Sequence, residues 1–147
     1  MKKKNRLTIL FVVLFIGIIS AGYLFFNFEE DKYTKIIRQN IIKLKEENRT
    51  AKFAEIIPFE WDKAFVIEDP YASNKAIEEI VGVKTNLDRF ETELFRRIIF
   101  LNKGKFIFDY VYDKRKFRYD YEKIELEASS TVHIVSGTTG KIILKIE

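Results

Sequence analysis

The chain has 147 residues, and about 120 remain once the first 27 or so are set aside, which is the usual size of one domain. It contains no cysteine, which excludes disulfides, thiolate zinc sites, iron–sulfur clusters, cysteine nucleophiles and a lipoprotein anchor. Of the 26 basic residues, Lys2, Lys3, Lys4 and Arg6 account for the whole net charge of +4, since the other 22 balance the 22 acidic residues; this neutral remainder gives no reason to expect nucleic acid.

The first element is an uncharged segment that begins at Leu7 and ends at Phe26. As a helix, its twenty residues would span about 30 Å, the thickness of the hydrocarbon core of a bilayer. Basic residues precede it and acidic residues 29–31 follow it, so the positive-inside rule predicts a single-pass anchor with the N-terminus in the cytoplasm and a domain outside. The alternative is a signal peptide cleaved after the small residues 20–22, which would give a secreted domain.

The remainder, residues 28–147, is expected to be one extracytoplasmic domain. Apolar residues at helical spacing predict an amphipathic helix over residues 28–48. Residues 51–57 and 61–67 are expected to form strands. Ser73 as N-cap and Gly82 as the terminating residue then define a short helix.

The C-terminal half has the alternation of apolar and polar residues that is typical of antiparallel strands. We expect strands at residues 93–101, 106–112, 117–121, 130–135 and 141–146. The element order predicts an α+β fold, in which the amphipathic helix and the short helix pack on an antiparallel β-meander of about five or six strands. One face of this meander should carry the alternating aromatic residues Phe106, Phe108, Tyr110 and Tyr112.

Residues 58–71 contain Trp61-Asp62, then a strand with aromatic character, then Pro70-Tyr71, and they lead to a short helix that ends at Gly82. This stretch of about 25 residues resembles one shared by an uncharacterised family of small membrane-anchored or exported bacterial proteins. The resemblance implies a related fold, and no activity is attached to that family.

Trp61, Asp62, Asp69 and Tyr71 are the candidate interaction surface, because two aromatic rings there lie close in sequence to two carboxylates. In the alternative, these residues have structural roles only. Trp61 packs in the core, Asp62 accepts hydrogen bonds from nearby backbone N–H groups, and Asp69 forms a turn with Pro70.

Basic residues gather at the ends of the predicted hairpins, where they either contact an anionic partner or lipid headgroups, or are simply solvated. They are Lys103, Lys105, Lys114, Arg115, Lys116 and Arg118.

No catalytic, nucleotide-binding or metal-binding motif stands out, and the single histidine, His133, lacks a partner at a recognisable spacing. We therefore expect no cofactor, no metal and no nucleic-acid partner. The leading hypothesis is a non-catalytic, membrane-tethered domain that binds another protein, either as an immunity or inhibitor protein or as an accessory subunit. The alternative is a small envelope hydrolase or ligand binder that uses carboxylates such as Asp62, Glu68 and Asp69.

Overall fold

The computed structural model describes residues 31–137 and 140–147. Within them, Lys32–Glu147 forms one compact unit. The predicted anchor from Leu7 to Phe26 and the first residues of the predicted helix 28–48 lie outside the described residues. In the part of the chain that the structure describes, no helix has the length and apolar character needed to cross a membrane.

The fold is α+β, as the sequence predicts. The helices are α1 (Lys32–Glu47), α2 (Phe53–Ile56) and α3 (Asn74–Val81). The strands are β1 (Ala51–Lys52), β2 (Lys63–Ile67), β3 (Phe95–Asn102), β4 (Lys105–Asp113), β5 (Phe117–Tyr121), β6 (Glu125–Glu127), β7 (Thr131–Ser136) and β8 (Ile142–Ile146).

The strands form two four-stranded sheets instead of the single predicted meander. Sheet I has the order β1-β7-β8-β5, and sheet II has the order β4-β3-β2-β6. The difference arises at β5, which follows β4 in the chain but pairs in parallel with the C-terminal strand β8. The other pairings are antiparallel. Two facing sheets bury the inner side of each against the other, which one meander covered by helices does not do.

Helices α1 and α3 follow from local sequence signals. In α1, the buried residues Ile37, Ile41 and Leu44 recur at helical spacing on the face that joins the main core. In α3, the Ser73 hydroxyl accepts a hydrogen bond from the backbone N–H of Ala76 at 3.3 Å, and Gly82 ends the helix with a left-handed φ of 76°. The predicted cap and stop of the short helix are therefore confirmed.

The segment predicted as a strand over residues 51–57 is instead a two-residue strand followed by the one-turn helix α2. Phe53 and Ile56 are both buried at a spacing of three, which fits a helical turn and not an alternating strand. The Glu55 carboxylate accepts the backbone N–H of Lys52 at 2.8 Å, which satisfies a donor at the start of this turn.

The prediction that Phe106 shares a face with Phe108, Tyr110 and Tyr112 is wrong. The β3–β4 register shifts between Phe100 and Leu101, and such a β-bulge reverses the alternation of side chains. Phe106 therefore packs in the core on the outer face of sheet II, whereas the other three aromatic residues pack in or against the main core.

The main core lies between the two sheets and includes residues of α1 and α2. A second core on the outer face of sheet II packs Ile77 and Val81 of α3 against Phe65, Ile67 and Ile99. An open recess lies near the other, inner face of sheet II.

Candidate functional site

The candidate site is an open groove of about 660 Å³ where sheet II meets the edge strand β5 of sheet I. Its lining residues are Glu68, Arg96, Tyr112, Lys114, Lys141 and residues 117–121 of β5. The groove is thus formed by three strands, β3, β4 and β5, and by residues that flank β2, β4 and β8, with charged and aromatic side chains side by side.

Arg96 is the best-fixed cation of the groove. Its Nη1 donates to the carbonyl oxygens of Glu93 and Phe95, both at 2.8 Å. Its Nε lies 3.5 Å from Oε2 of Glu68, and its side chain is only 15% exposed. Arg96 also pairs directly with Tyr112 across the β3–β4 ladder, so a carboxylate, a guanidinium and a phenol lie near one another at this end of sheet II.

Tyrosines of β4 and β5 form the aromatic part of the site. The rings of Tyr112 and Tyr119 lie 4.5 Å apart, and the Tyr119 hydroxyl donates to the Tyr110 hydroxyl oxygen at 3.3 Å. The Tyr121 hydroxyl donates to Oε1 of Glu68 at 2.5 Å. Burial is the main cause that raises the pKa of both Tyr112 and Tyr121, and the nearby Glu68 carboxylate raises it further. These hydroxyls therefore keep their protons and act as hydrogen-bond donors.

Cations outnumber carboxylates in the lining. Arg118 bonds to Asp120 through Nε and Oδ1 at 2.6 Å, and Lys114 lies 3.8 Å from a carboxylate oxygen of Glu93 at the rim. Lys141, just before β8, adds another positive charge. Both carboxylates that line the groove, on Glu68 and Asp120, already contact an arginine.

The four residues of the predicted interaction surface lie at opposite ends of β2. Trp61 is 8% exposed, and its ring packs edge-on against Phe100 at 5.2 Å, in the main core. The Asp62 carboxylate accepts the backbone N–H of Lys103 at 2.7 Å. At the other end of β2, Asp69 accepts the backbone N–H of Tyr71 at 2.9 Å in a turn, and the Tyr71 side chain is exposed.

Two of the carboxylates proposed for a hydrolase, on Asp62 and Glu68, do not converge. Asp62 and Glu68 flank the five-residue strand β2, so their backbones are about 20 Å apart at the rise of an extended chain. Paired glycosidase carboxylates lie within about 10 Å of each other. The strand that separates them therefore keeps these two carboxylates from acting as an acid–base pair.

Of the six basic residues predicted at hairpin ends, Lys114 and Arg118 line the groove. Sequence reasoning missed Arg96 and Lys141 as site residues. A signal for Arg96 was present, since it has the same parity along β3 as the buried Ile98 and Phe100 and therefore points to the inner face. Nothing local marks Lys141, because its position depends on the distant pairing of β5 with β8.

A buried ion pair lies elsewhere, on the outer face of sheet II. Arg97 Nη1 is 3.6 Å from Oδ2 of Asp109, while its Nη2 donates to the Asp88 carbonyl at 2.8 Å. The guanidinium carbon stands 4.2 Å from the centroid of the Phe90 ring. Arg97 Nη1 and Asp109 Oδ1 are buried without a hydrogen-bond partner among the described residues. Burial raises the pKa of Asp109 to about 6 despite the opposing charge of Arg97.

His133 is exposed and lies 3.3 Å from the Thr50 hydroxyl through Nδ1. Among the described residues, no group of three or more histidine, aspartate or glutamate side chains is placed to hold a metal ion. No family model, no curated protein and no solved structure matches the chain. The resemblance of residues 58–71 to an uncharacterised bacterial family therefore stays a prediction, and function is inferred from the groove.

Proposed function

We propose that this chain is a non-catalytic domain that is tethered to a bacterial membrane by the segment from Leu7 to Phe26, faces the outside of the cell, and binds another protein. The observation that carries the proposal is the groove, where Arg96 is held by two backbone carbonyls and faces a recess of about 660 Å³. A rigid arginine beside tyrosine rings is the composition of a binding hot spot.

The chemistry of the groove supports binding over catalysis. Glu68 is engaged by Arg96 and by the Tyr121 hydroxyl, and Asp120 is engaged by Arg118. A general base needs a free basic atom at the reacting centre, and a general acid needs a proton to give near neutral pH. Paired carboxylates and protonated phenols supply neither. The same surface serves an immunity or inhibitor protein or an accessory subunit, which differ only in the partner.

The tether has its own experiment. Membranes from cells that express the full chain are washed with alkaline carbonate, and the intact mass of the retained protein is measured. Retention at the full mass supports the anchor. A soluble product that has lost residues 1–22 would show signal-peptide cleavage and would remove the tether from the proposal.

Protein binding is tested by affinity capture with the full-length chain, solubilised in a neutral detergent, against envelope and secreted proteins of the source cells. A groove variant, Lys114→Glu/Lys141→Glu, reverses two charges of the lining. A helix variant, Lys75→Glu/Lys84→Glu, makes the same charge change at exposed positions on and just after α3, the helix that covers the opposite face of sheet II.

We expect one reproducible partner with the wild type and the helix variant, and its loss with the groove variant. Equal capture by all three baits would place the binding surface outside the groove. No reproducible partner from a folded, monodisperse wild-type bait would contradict protein binding altogether.

A further inference from the structure

The charge of the groove differs from that of the domain around it. Four of the 26 basic residues lie in the N-terminal flank, and the other 22 balance the 22 acidic residues, so the rest of the chain is formally neutral. The groove lining has four cations, on Arg96, Lys114, Arg118 and Lys141, and two carboxylates. A local excess of positive charge attracts an anionic ligand to this place.

The internal contacts of the groove show which anion its donors accommodate. Arg96 and the Tyr121 hydroxyl both approach the carboxylate of Glu68, at 3.5 and 2.5 Å. The side chain of Glu68 is 59% exposed, whereas that of Arg96 is 15% exposed. The carboxylate is therefore the movable member of this contact and the arginine is the fixed one. Another carboxylate can replace Glu68 while Arg96 and Tyr121 keep their positions.

On β5, Arg118 is bonded to Asp120 at 2.6 Å, and here the arginine is the more exposed partner, with 60% of its side chain exposed against 35% for Asp120. A guanidinium has five N–H donors, so Arg118 can contact a carboxylate of a ligand while it keeps its bond to Asp120. Arg96 of β3 and Arg118 of β5 therefore provide guanidinium groups at separate places in the lining. An extended chain with several acidic side chains can contact both of them, and a single small anion does not. The volume of about 660 Å³ suits a few residues of such a chain.

The shape favours a peptide over a membrane surface. A bilayer presents its headgroups as a plane, and a plane reaches only protruding cations. Arg96 is 85% covered at its side chain, since 15% is exposed, and it lies beside the buried ring of Tyr112. An acidic side chain of a peptide enters this recess, whereas a planar array of headgroups stays outside it.

We propose that the groove binds an acidic segment of the partner protein, one carboxylate of which replaces Glu68 on Arg96, while Arg118, Lys114 and Lys141 contact further acidic side chains of the segment. This inference rests on the proposed function, because it names the chemistry of the partner. It excludes anionic lipid and free phosphate as the main ligands of the groove.

Labelled hexaglutamate is the probe, and the full-length chain in neutral detergent is titrated into it while fluorescence anisotropy is recorded. We expect saturable binding that weakens with added salt, is about tenfold weaker for the groove variant, and changes less than about twofold for the helix variant. The conservative variant Tyr121→Phe removes the hydroxyl that donates to the carboxylate on Arg96 and keeps the ring, so we expect about threefold weaker binding.

Competition separates the possible sources of the anion. Unlabelled hexaglutamate should displace the probe, while inorganic phosphate and glycerol 3-phosphate, the soluble headgroup of an anionic lipid, should not do so at equal charge concentration. Displacement by glycerol phosphate at least as strong as by hexaglutamate would overturn the peptide assignment. Absence of hexaglutamate binding would overturn it too, while groove-dependent capture of a partner would still leave the proposed function standing.

Discussion

Replacing Asp109 with asparagine should remove a pH-dependent loss of stability that the wild type carries. The carboxyl is buried on the outer face of sheet II, its side chain is 15% exposed, and burial raises its pKa from 3.8 to about 6. Between these values the folded state holds the proton more tightly than the unfolded state does. The free energy of unfolding therefore falls as the pH rises through this window and is fully reduced above about pH 6.

The magnitude follows from the shift. One pKa unit corresponds to about 1.4 kcal/mol, so the raised pKa of Asp109 changes the free energy of unfolding by about 3 kcal/mol over the whole titration. About 2 kcal/mol of this change falls between about pH 4.5 and 7.5. Asparagine has a similar shape and does not titrate. The wild type should therefore lose about 2 kcal/mol relative to Asp109→Asn over that interval.

The assay is urea unfolding of the full-length chain in neutral detergent at the two pH values, followed by the fluorescence of Trp61, the only tryptophan. Asp113→Asn is the matched control on the same strand, because hydrogen bonds from Arg115 lower the pKa of Asp113 and its contribution is lost on acidification instead. A wild-type-minus-variant difference for Asp109 that stays flat, or that rises with pH like the one for Asp113, would show that the charge of Arg97 outweighs burial.

Two further changes test the core and a helix end. Trp61→Phe should lower the free energy of unfolding by less than about 2 kcal/mol, because it also removes a buried indole N–H that has no partner among the described residues. Trp61→Ala should lower it by about 3–5 kcal/mol. Urea unfolding followed by circular dichroism measures both, and equal losses would contradict this account. Gly82→Ala should lower the free energy of unfolding by about 1 kcal/mol, because residue 82 has a left-handed φ of 76° and an added Cβ would meet no other atom within 4 Å. Gly82→Asn should lower it less. An alanine variant as stable as the wild type would show that the left-handed backbone causes no strain.

Sequence reasoning succeeded where structure is set by near neighbours. The short helix was predicted with both ends, because Ser73 and Gly82 act on backbone groups within the same helix. The β3–β4 hairpin was predicted for the same reason, and Lys103 and Gly104 at its tip have the positive φ values that such turns need. These features depend on a few consecutive residues that are all visible in the sequence.

Features that depend on one extra residue in a strand, or on pairing between strands far apart in the chain, could not be predicted from the sequence. The bulge opposite Phe100 and Leu101 moved Phe106 to the other face, and no glycine or proline in this stretch signals it. Strand β6 was missed because Leu126 is its only apolar residue, between Glu125 and Glu127. The parallel pairing of β5 with β8 leaves no mark in either strand, since parallel and antiparallel partners use the same side-chain alternation.

The groove owes its position to the short connection between the two sheets. Strand β4 ends at Asp113 and β5 begins at Phe117, so a three-residue turn carries the chain from the edge of sheet II to the edge of sheet I. The N–H of Ile142 donates to the carbonyl of Lys116 at 3.0 Å, which ties the turn to the start of β8. Because the turn is so short, Tyr112 and Tyr119 meet with their rings 4.5 Å apart and close the corner.

The polar side chains that line the groove therefore come from both sides of this corner. Glu68 lies just after β2 and Arg96 lies in the adjacent strand β3, both in sheet II, whereas Arg118 lies in β5 and Lys141 just before β8. None of them forms a motif with its own sequence neighbours, and each taken alone has the appearance of a solvated charge. A binding site assembled across a sheet-to-sheet corner is defined by the pairing of its strands, so no catalytic or binding motif along the sequence marks it.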